Sequence, residues 1–237
     1  MGRTINATAR ALAALSVVLC VLTWAQAALA APQHERIIQM SAELVKNMGT
    51  QNDAEAMAQT VRNAKAVAIF PRTIRAGLGI GGMHGEGVVL VRNANGGWNG
   101  PSFASLVGGS FGLQIGVQEV GMVLVVVNDA GLQAFTGGQS FKLGADVGIA
   151  AGPVGRDLEA ATDSRADASI YSYSMSRGLF AGISLSGSTI NVNGDANLAH
   201  YGRATDAKTA LASPATSSEV RQLTNELDKL IRLAGTN

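Results

Sequence analysis

The chain has 237 residues, with 18 basic and 17 acidic side chains, 29 glycines and one cysteine. A charge balance this even gives no global attraction to nucleic acid, so any pull toward an anionic surface must come from a local patch. One cysteine excludes a disulfide framework and a cysteine-ligated metal centre.

The first ten residues carry Arg3 and Arg10 and no acid. An apolar run follows from Ala11 to Trp24, broken only by Ser16 and Thr23, and Ala28-Leu29-Ala30 then precedes Ala31-Pro32. A basic start, an apolar core and a small-x-small site describe a cleaved export signal. The core is shorter than the roughly 20 residues a spanning helix needs. Cleavage is expected after Ala30, with export to the periplasm or the outer-membrane periphery. Cys20 leaves with the signal, since Leu19 before it is not the small residue a lipidated cysteine requires. Without Arg3 and Arg10, 16 basic side chains face 17 acidic ones, a net charge of −1. The remaining length suits one large domain.

Between residues 33 and 63 the apolar spacing is helical. Ile37, Ile38, Leu44, Val45 and Met48 form one stripe, ended by Gly49. A second helix is expected from about Asp53, a suitable N-cap, through Met57 and Val61. From Gly77 to Gly194 the texture changes: 25 of the 29 glycines lie here, mixed with Val, Ile, Leu and Phe. Glycine inside strands marks bulges, bends or close approach of backbones. Strands are expected over 66–70, 85–92, 102–117, 120–128, 141–150, 170–176 and 179–190. Asn95-Gly96 is a hairpin signal. Val123 to Val127 is continuously apolar, as in a strand buried on both faces. Near the end, Thr216-Ser217-Ser218-Glu219 reads as a capping box. Val220, Leu223, Leu227 and Leu230 then form the stripe of an amphipathic helix, docked on the domain or on a second copy.

The fold class is therefore α+β: a Gly-rich curved antiparallel sheet or partly closed barrel, with N-terminal helices and a C-terminal amphipathic helix. The expected divisions are a signal over 1–30, helices over 31–64, a β-rich core over 65–202, and a linker with the last helix over 203–237.

Several motifs suggest chemistry. Gly77, Gly79 and Gly82 fit a dinucleotide fingerprint, but a Val-rich strand follows where a helix should open. Gly108, Ser110 and Gly112 fit a hydrolase elbow, with Asp146 and His200 in hydrolase order. The elbow needs a helix after the serine, whereas Leu113, Ile115 and Val117 alternate as in a strand. A serine hydrolase using Ser110 is thus the remote alternative to a non-enzymatic protein. His34, His84 and His200 lack metal-ligand spacing and read as surface or half-buried polar groups. The basic residues Lys65, Arg72 and Arg75 surround the strand at 66–70, while Arg156 and Arg177 sit in Gly- and Ser-rich turns. Arginine at such turns can clamp a phosphate, and the other reading of these residues is ordinary solvated surface charge.

Lys65-Ala66-Val67-Ala68-Ile69-Phe70-Pro71, Gly97-Trp98-Asn99-Gly100-Pro101-Ser102-Phe103, Gly112 to Gly116, Lys142 to Asp146 with Ala151 to Arg156, Tyr171 to Gly182, and Asn197 with Tyr201-Gly202 occur in this order. Together they resemble the SYLF domain family, a yeast actin-patch type of lipid-binding domain. Met175 stands where many members carry a basic residue, and Ser186 where many carry an acid. The resemblance implies a non-enzymatic module without cofactor or metal. Its partner would be a phospholipid or membrane surface of the cell envelope, with no nucleic acid. Eukaryotic members are linked to phosphoinositides and to actin, and neither is expected in an exported protein's compartment. The residues proposed for lipid contact are Lys65, Arg72, Arg75, Arg156, Tyr171, Tyr173, Arg177 and Phe180. The rival reading is an envelope protein that self-associates through the stripe from Val220 to Leu230.

Overall fold

In the run from Val123 to Val126 every second side chain enters one core and the others enter a second. Val123 and Val125 pack on one side of the sheet, Leu124 and Val126 on the other. A period of two cannot offer two buried faces unless both are covered, and here both are. The computed structural model describes residues 31–51, 54–152, 168–176, 179–180 and 185–235; side chains at 78–80, 110–115 and 179–180 are outside the description. The expected export signal, Asp53, Arg156 and Arg177 lie outside the described residues.

The elements are α1 (Gln33–Gly49), α2 (Ala54–Arg62), β1 (Ala66–Arg92), β2 (Trp98–Val126), α3 (Asp129–Thr136), β3 (Phe141–Lys142), β4 (Ile149–Ala151), β5 (Ile170–Ser176), β6 (Leu179–Phe180), β7 (Thr189–Val192), α4 (Gly194–Tyr201), α5 (Ala207–Ala212) and α6 (Ser218–Arg232). The strands among the described residues form one curled half-barrel sheet in an α+β fold. Its path is β3-β7-β2-β5-β4, with β1 on the opposite edge of β2 and β6 beside β5. Pairing is antiparallel except for β4 with β5, which is parallel.

Two expected strand pairs are each a single long strand. Segments 66–70 and 85–92 belong to the 27-residue β1, and 102–117 and 120–128 to the 29-residue β2. The glycines between them continue the ladder: Gly77 pairs with Gly116, Gly79 with Gly112 and Gly82 with Gly109. A glycine carries the same backbone donor and acceptor as any residue, so it weakens a strand without ending it. Asn128 is not strand; it caps α3, its side chain accepting the Gly131 N–H at 3.0 Å. The expected strand over 141–150 keeps only its ends, because Asp146 accepts the Lys142 N–H at 2.7 Å and closes a turn between them. Likewise 179–190 divides into β6 and the start of β7.

Curvature in β1 depends on glycine at two positions. A Cβ at Gly85 would lie 2.4 Å from the Thr73 hydroxyl, and one at Gly87 would lie 2.4 Å from the Ile69 carbonyl oxygen. The strand therefore bends back until its own two halves touch. At the other end, the hairpin to β2 turns on Asn93 and Gly96. Asn93 accepts the Asn95 and Gly97 N–H groups, each at 3.0 Å, and Gly96 takes φ +81°, favourable only for glycine.

One core joins the helices to the sheet. Ile37, Ile38, Val45 and Met48 of α1, Met57 and Val61 of α2, and all four stripe residues of α6 pack with Val67, Ile69, Val88 and Leu90 of β1. The stripes of α1 and α6 are thus both internal to the chain. A homo-oligomer through α6 would have to use its polar outer face. The α6 cap sits one residue beyond the expected box: Ser217 accepts the Val220 N–H at 3.3 Å, and Glu219 instead takes a hydrogen bond from Ser218 at 2.7 Å. The second core, on the other face, gathers Phe70, Leu106, Met122, Phe135, Phe141 and Leu211. His34–Asn237 forms one compact unit.

Candidate functional site

The proposed lipid-contact residues fall into three places. Lys65 immediately precedes β1, and its ammonium meets Asp129 of α3 at 2.7 Å. Arg72 lies at the first bulge of β1, its Nε 2.7 Å from Glu119 of β2. Arg75 follows one bulge-shifted turn of the ladder later, in register with Gln118. Lys65 is thus separated from the other two by the strand 66–70. Both ion pairs are open to water, with side-chain exposures of 42% and 74% for Lys65–Asp129 and 60% and 54% for Arg72–Glu119. Exposed pairs contribute about 0–1 kcal/mol, so a phosphate oxygen can replace either carboxylate at little cost. Arg75 has no acidic partner within ion-pair distance among the described residues.

The tyrosines behave differently. Tyr173 is 2% exposed and belongs to the helical core, its hydroxyl 2.8 Å from that of Thr60 on α2. The backbone at Gly152 runs across its ring: a Cβ there would lie 2.3 Å from the phenol carbon. Tyr171 is half-buried against the same core. Phe180 is placed by its backbone only, opposite Met175. Met175 is itself a buried residue of the same core. Arg156 and Arg177 are outside the described residues.

Beside Arg75 lies an unusual surface. Residues 76–83 of β1 and 108–117 of β2 contain no charged side chain. Among the described side chains of the strands, Val117 at 75% and Val107 at 44% are the most exposed large aliphatic residues. A cation next to open apolar surface combines attraction for phosphate with attraction for acyl chains.

The enzyme motifs do not assemble. Ser110 lies within β2 opposite Gly81, with no helix opening after it. Asp146 is engaged by the Lys142 backbone. His200 joins an aromatic cluster, its ring 5.6 Å from His34 and 5.5 Å from Phe103 between centroids. Gly77, Gly79 and Gly82 are likewise mid-strand, far from any helix start. Among the described residues, no three His, Cys, Asp or Glu side chains converge as metal ligands. No described helix is long and apolar enough to cross a membrane.

The cluster around His200 joins distant parts of the chain, and local spacing carries no sign of it. His34 comes from α1, Phe103 from β2 and His200 from α4. Burial pushes the His200 imidazole below its ordinary pKa, the neighbouring His34 lowers it further, and Glu219 opposes both. Tyr201 next to it donates to the Pro101 carbonyl at 2.7 Å, and burial raises its phenol to about 12. Asn197, one turn earlier, accepts the Phe103 N–H. The segments 97–103 and 197–202 thus interlock.

Comparison with known proteins agrees with this architecture. A family described as Ysc84, Las17-binding protein actin regulator, matches residues 107–230, more than half of the chain. SH3 domain-containing YSC84-like protein 1 from Bos taurus is 35% identical over 144 residues, 61% of this chain and 42% of that protein. The Homo sapiens protein of the same name gives the same identity and coverage. LAS seventeen-binding protein 3 of Saccharomyces cerevisiae is 34% identical over 154 residues, 64% of this chain and 33% of the yeast protein. The match therefore spans about two fifths or less of these relatives' own length. On these matches the chain belongs to the Ysc84 family, which is the SYLF family that its motifs resemble.

Proposed function

We propose that this protein is a non-enzymatic lipid-binding module of the cell envelope that contacts phospholipid headgroups at a membrane surface. The observation that carries the reading is the pairing of chemistries on the long β1–β2 ribbon. Arg72 and Arg75 lie beside an uncharged surface on which Val117 is 75% exposed. The Arg72–Glu119 pair is weak enough to exchange its carboxylate for a lipid phosphate. Helix α1 is not the lipid contact in this reading, because its apolar stripe is already buried in the core. The relatives' names speak of Las17 binding and actin regulation. An exported protein meets neither, so lipid is the affinity carried over here.

The test is flotation of the processed protein, isolated from the envelope of an expressing bacterium, with vesicles of phosphatidylethanolamine and phosphatidylglycerol and with phosphatidylcholine alone. Binding is expected and should weaken for Arg72→Glu with Arg75→Glu. Absence of flotation with every vesicle, together with no lipid co-purifying by mass spectrometry, would sink the reading. The intact mass of the same sample tests export: it should correspond to a chain starting at Ala31.

A further inference from the structure

The contact of β1 with itself has a geometric result. Thr73 touches Gly85, so everything between them leaves the body of the sheet and returns. The partner stretch of β2 follows the same course, since Thr73 pairs with Val120 and Gly85 with Leu106. Over this stretch the ribbon has two strands only. On its other edge β2 meets β7 at residues 104–107 and β5 at residues 121–126, with no described strand between. The result is a pinched arm of two strands. Half of the eleven residues of β1 between Thr73 and Gly85, at strand rise, reach on the order of 15 Å outward.

Composition and surroundings both change along this arm. Its roots carry Arg72, Arg75 and Glu119 on one side and His84 and Glu86 on the other. Between the roots there is no charge. Ala76, Gly82, Gly109, Gly116 and Val117 are exposed, and a Cβ added at Gly109 or Gly116 would meet nothing within 4 Å. The ladder holds throughout: Ala76 pairs with Val117, Leu78 with Ile115 and Ile80 with Phe111.

Resting on the lipid-binding reading, we propose that this arm is the element that enters the membrane. Its uncharged part inserts into the zone between headgroups and acyl chains, while Arg72 and Arg75 at one root meet lipid phosphates. Charge complementarity selects this occupant: cations stand where phosphates lie, and neutral residues stand where acyl chains begin. The ladder limits the depth. Among the described residues each strand of the arm pairs on one edge, so its outer N–H and C=O groups need water, which is present at the interface and absent from the hydrocarbon core. Entry is thus shallow, on the order of 5–10 Å, as for other interfacial elements. Glycine keeps the arm thin.

The experiment uses the full chain with Cys20→Ser, a single Val117→Cys carrying an environment-sensitive fluorophore, and Leu198→Cys on α4 as the control. Leu198 is also well exposed, at 47%, and lies on α4, outside the arm. With phosphatidylethanolamine–phosphatidylglycerol vesicles, emission at position 117 should shift to the blue and rise several-fold, while position 198 stays water-like. In parallel, Val117→Glu should lower vesicle partition by about tenfold, the loss expected from replacing one buried valine by a charge, with an unchanged melting curve. If the processed wild type floats and the label at 117 stays water-like, the arm is not the contact and lipid binding survives through another surface. If the wild type does not float at all, both proposals fall. If light scattering gives a dimer that Val117→Glu dissolves, and the fluorophore responds to protein concentration and not to vesicles, the arm binds a second copy and the proposal is overturned.

Discussion

Asn197 accepts a hydrogen bond from the backbone N–H of Phe103 at 2.8 Å, across 94 residues of sequence. Its amide group also donates to the Ser102 hydroxyl at 3.4 Å, and the side chain is fully buried. The first turn of β2 is tied to α4 through this one residue. Asn197→Ala would leave the Phe103 N–H without its acceptor in a dry site. A buried unpaired donor costs about 1–3 kcal/mol, and a loss of that size should appear in the urea midpoint at unchanged slope.

Tyr173 and Gly152 give a paired measurement. Tyr173→Phe keeps the ring and removes the hydroxyl that meets Thr60, so about 0.5–1.5 kcal/mol should be lost. Gly152→Ala drives a methyl group against the ring, and overpacking of this kind costs about 1–3 kcal/mol. In a Tyr173→Ala background Gly152→Ala should cost less than in the wild type, a non-additivity that thermal melts of the wild type, the two alanine variants and their combination will reveal.

Leu227 distinguishes a core helix from an association seam. It is fully buried in the core shared by α1, α2 and α6. Leu227→Ala should lower stability by about 2–5 kcal/mol and leave the mass in solution the same. A drop in mass without a drop in stability would mean that the stripe contacts another copy.

Stability should depend on pH through His200. The folded state holds this imidazole below its ordinary 6.5, so below that pH the unfolded chain binds more protons. The contribution is complete above about pH 6.5 and is lost as pH falls through the folded value, with a slope of at most about 1.4 kcal/mol per pH unit. The groups facing His200 are His34 from α1, Glu219 from α6 and its neighbour Tyr201. Denaturant titrations at a series of pH values should show the acid-side decline flatten in His200→Gln.

The elements with a strong local signal were legible from residue order. The stripes of α1 and α6, the hairpin at Asn95-Gly96, the doubly buried run at 123–126 and the family motifs all rest on short-range chemistry. A period of 3.6 or 2 states which face is buried, and Asn-Gly states which turn the chain can make. Periodicity does not state what a face is buried against. For that reason the α6 stripe was equally compatible with a second copy, and Tyr173 with a lipid, until both were found in one core with α1 and α2.

Glycine marks the other boundary of what could be read. It has no side chain to report a face, so the run at 77–82 looks the same whether it ends a strand or continues one. Long-range pairing decided the matter, aligning Gly77 with Gly116 and Gly79 with Gly112. Sequence by itself determined α1, α2 and α6, the β-rich centre and the family, because these depend on contacts between near neighbours, whereas α3, α4 and α5 were not expected from it. Only the tertiary structure decided that β1 bends until Thr73 meets Gly85, that the Gly-rich ribbon stands out as an arm, and that Arg72 has an acid to exchange while Arg75 has none among the described residues. Those features arise where residues distant in the chain exclude or attract one another at contact distance, and residue order alone carries no measure of that distance.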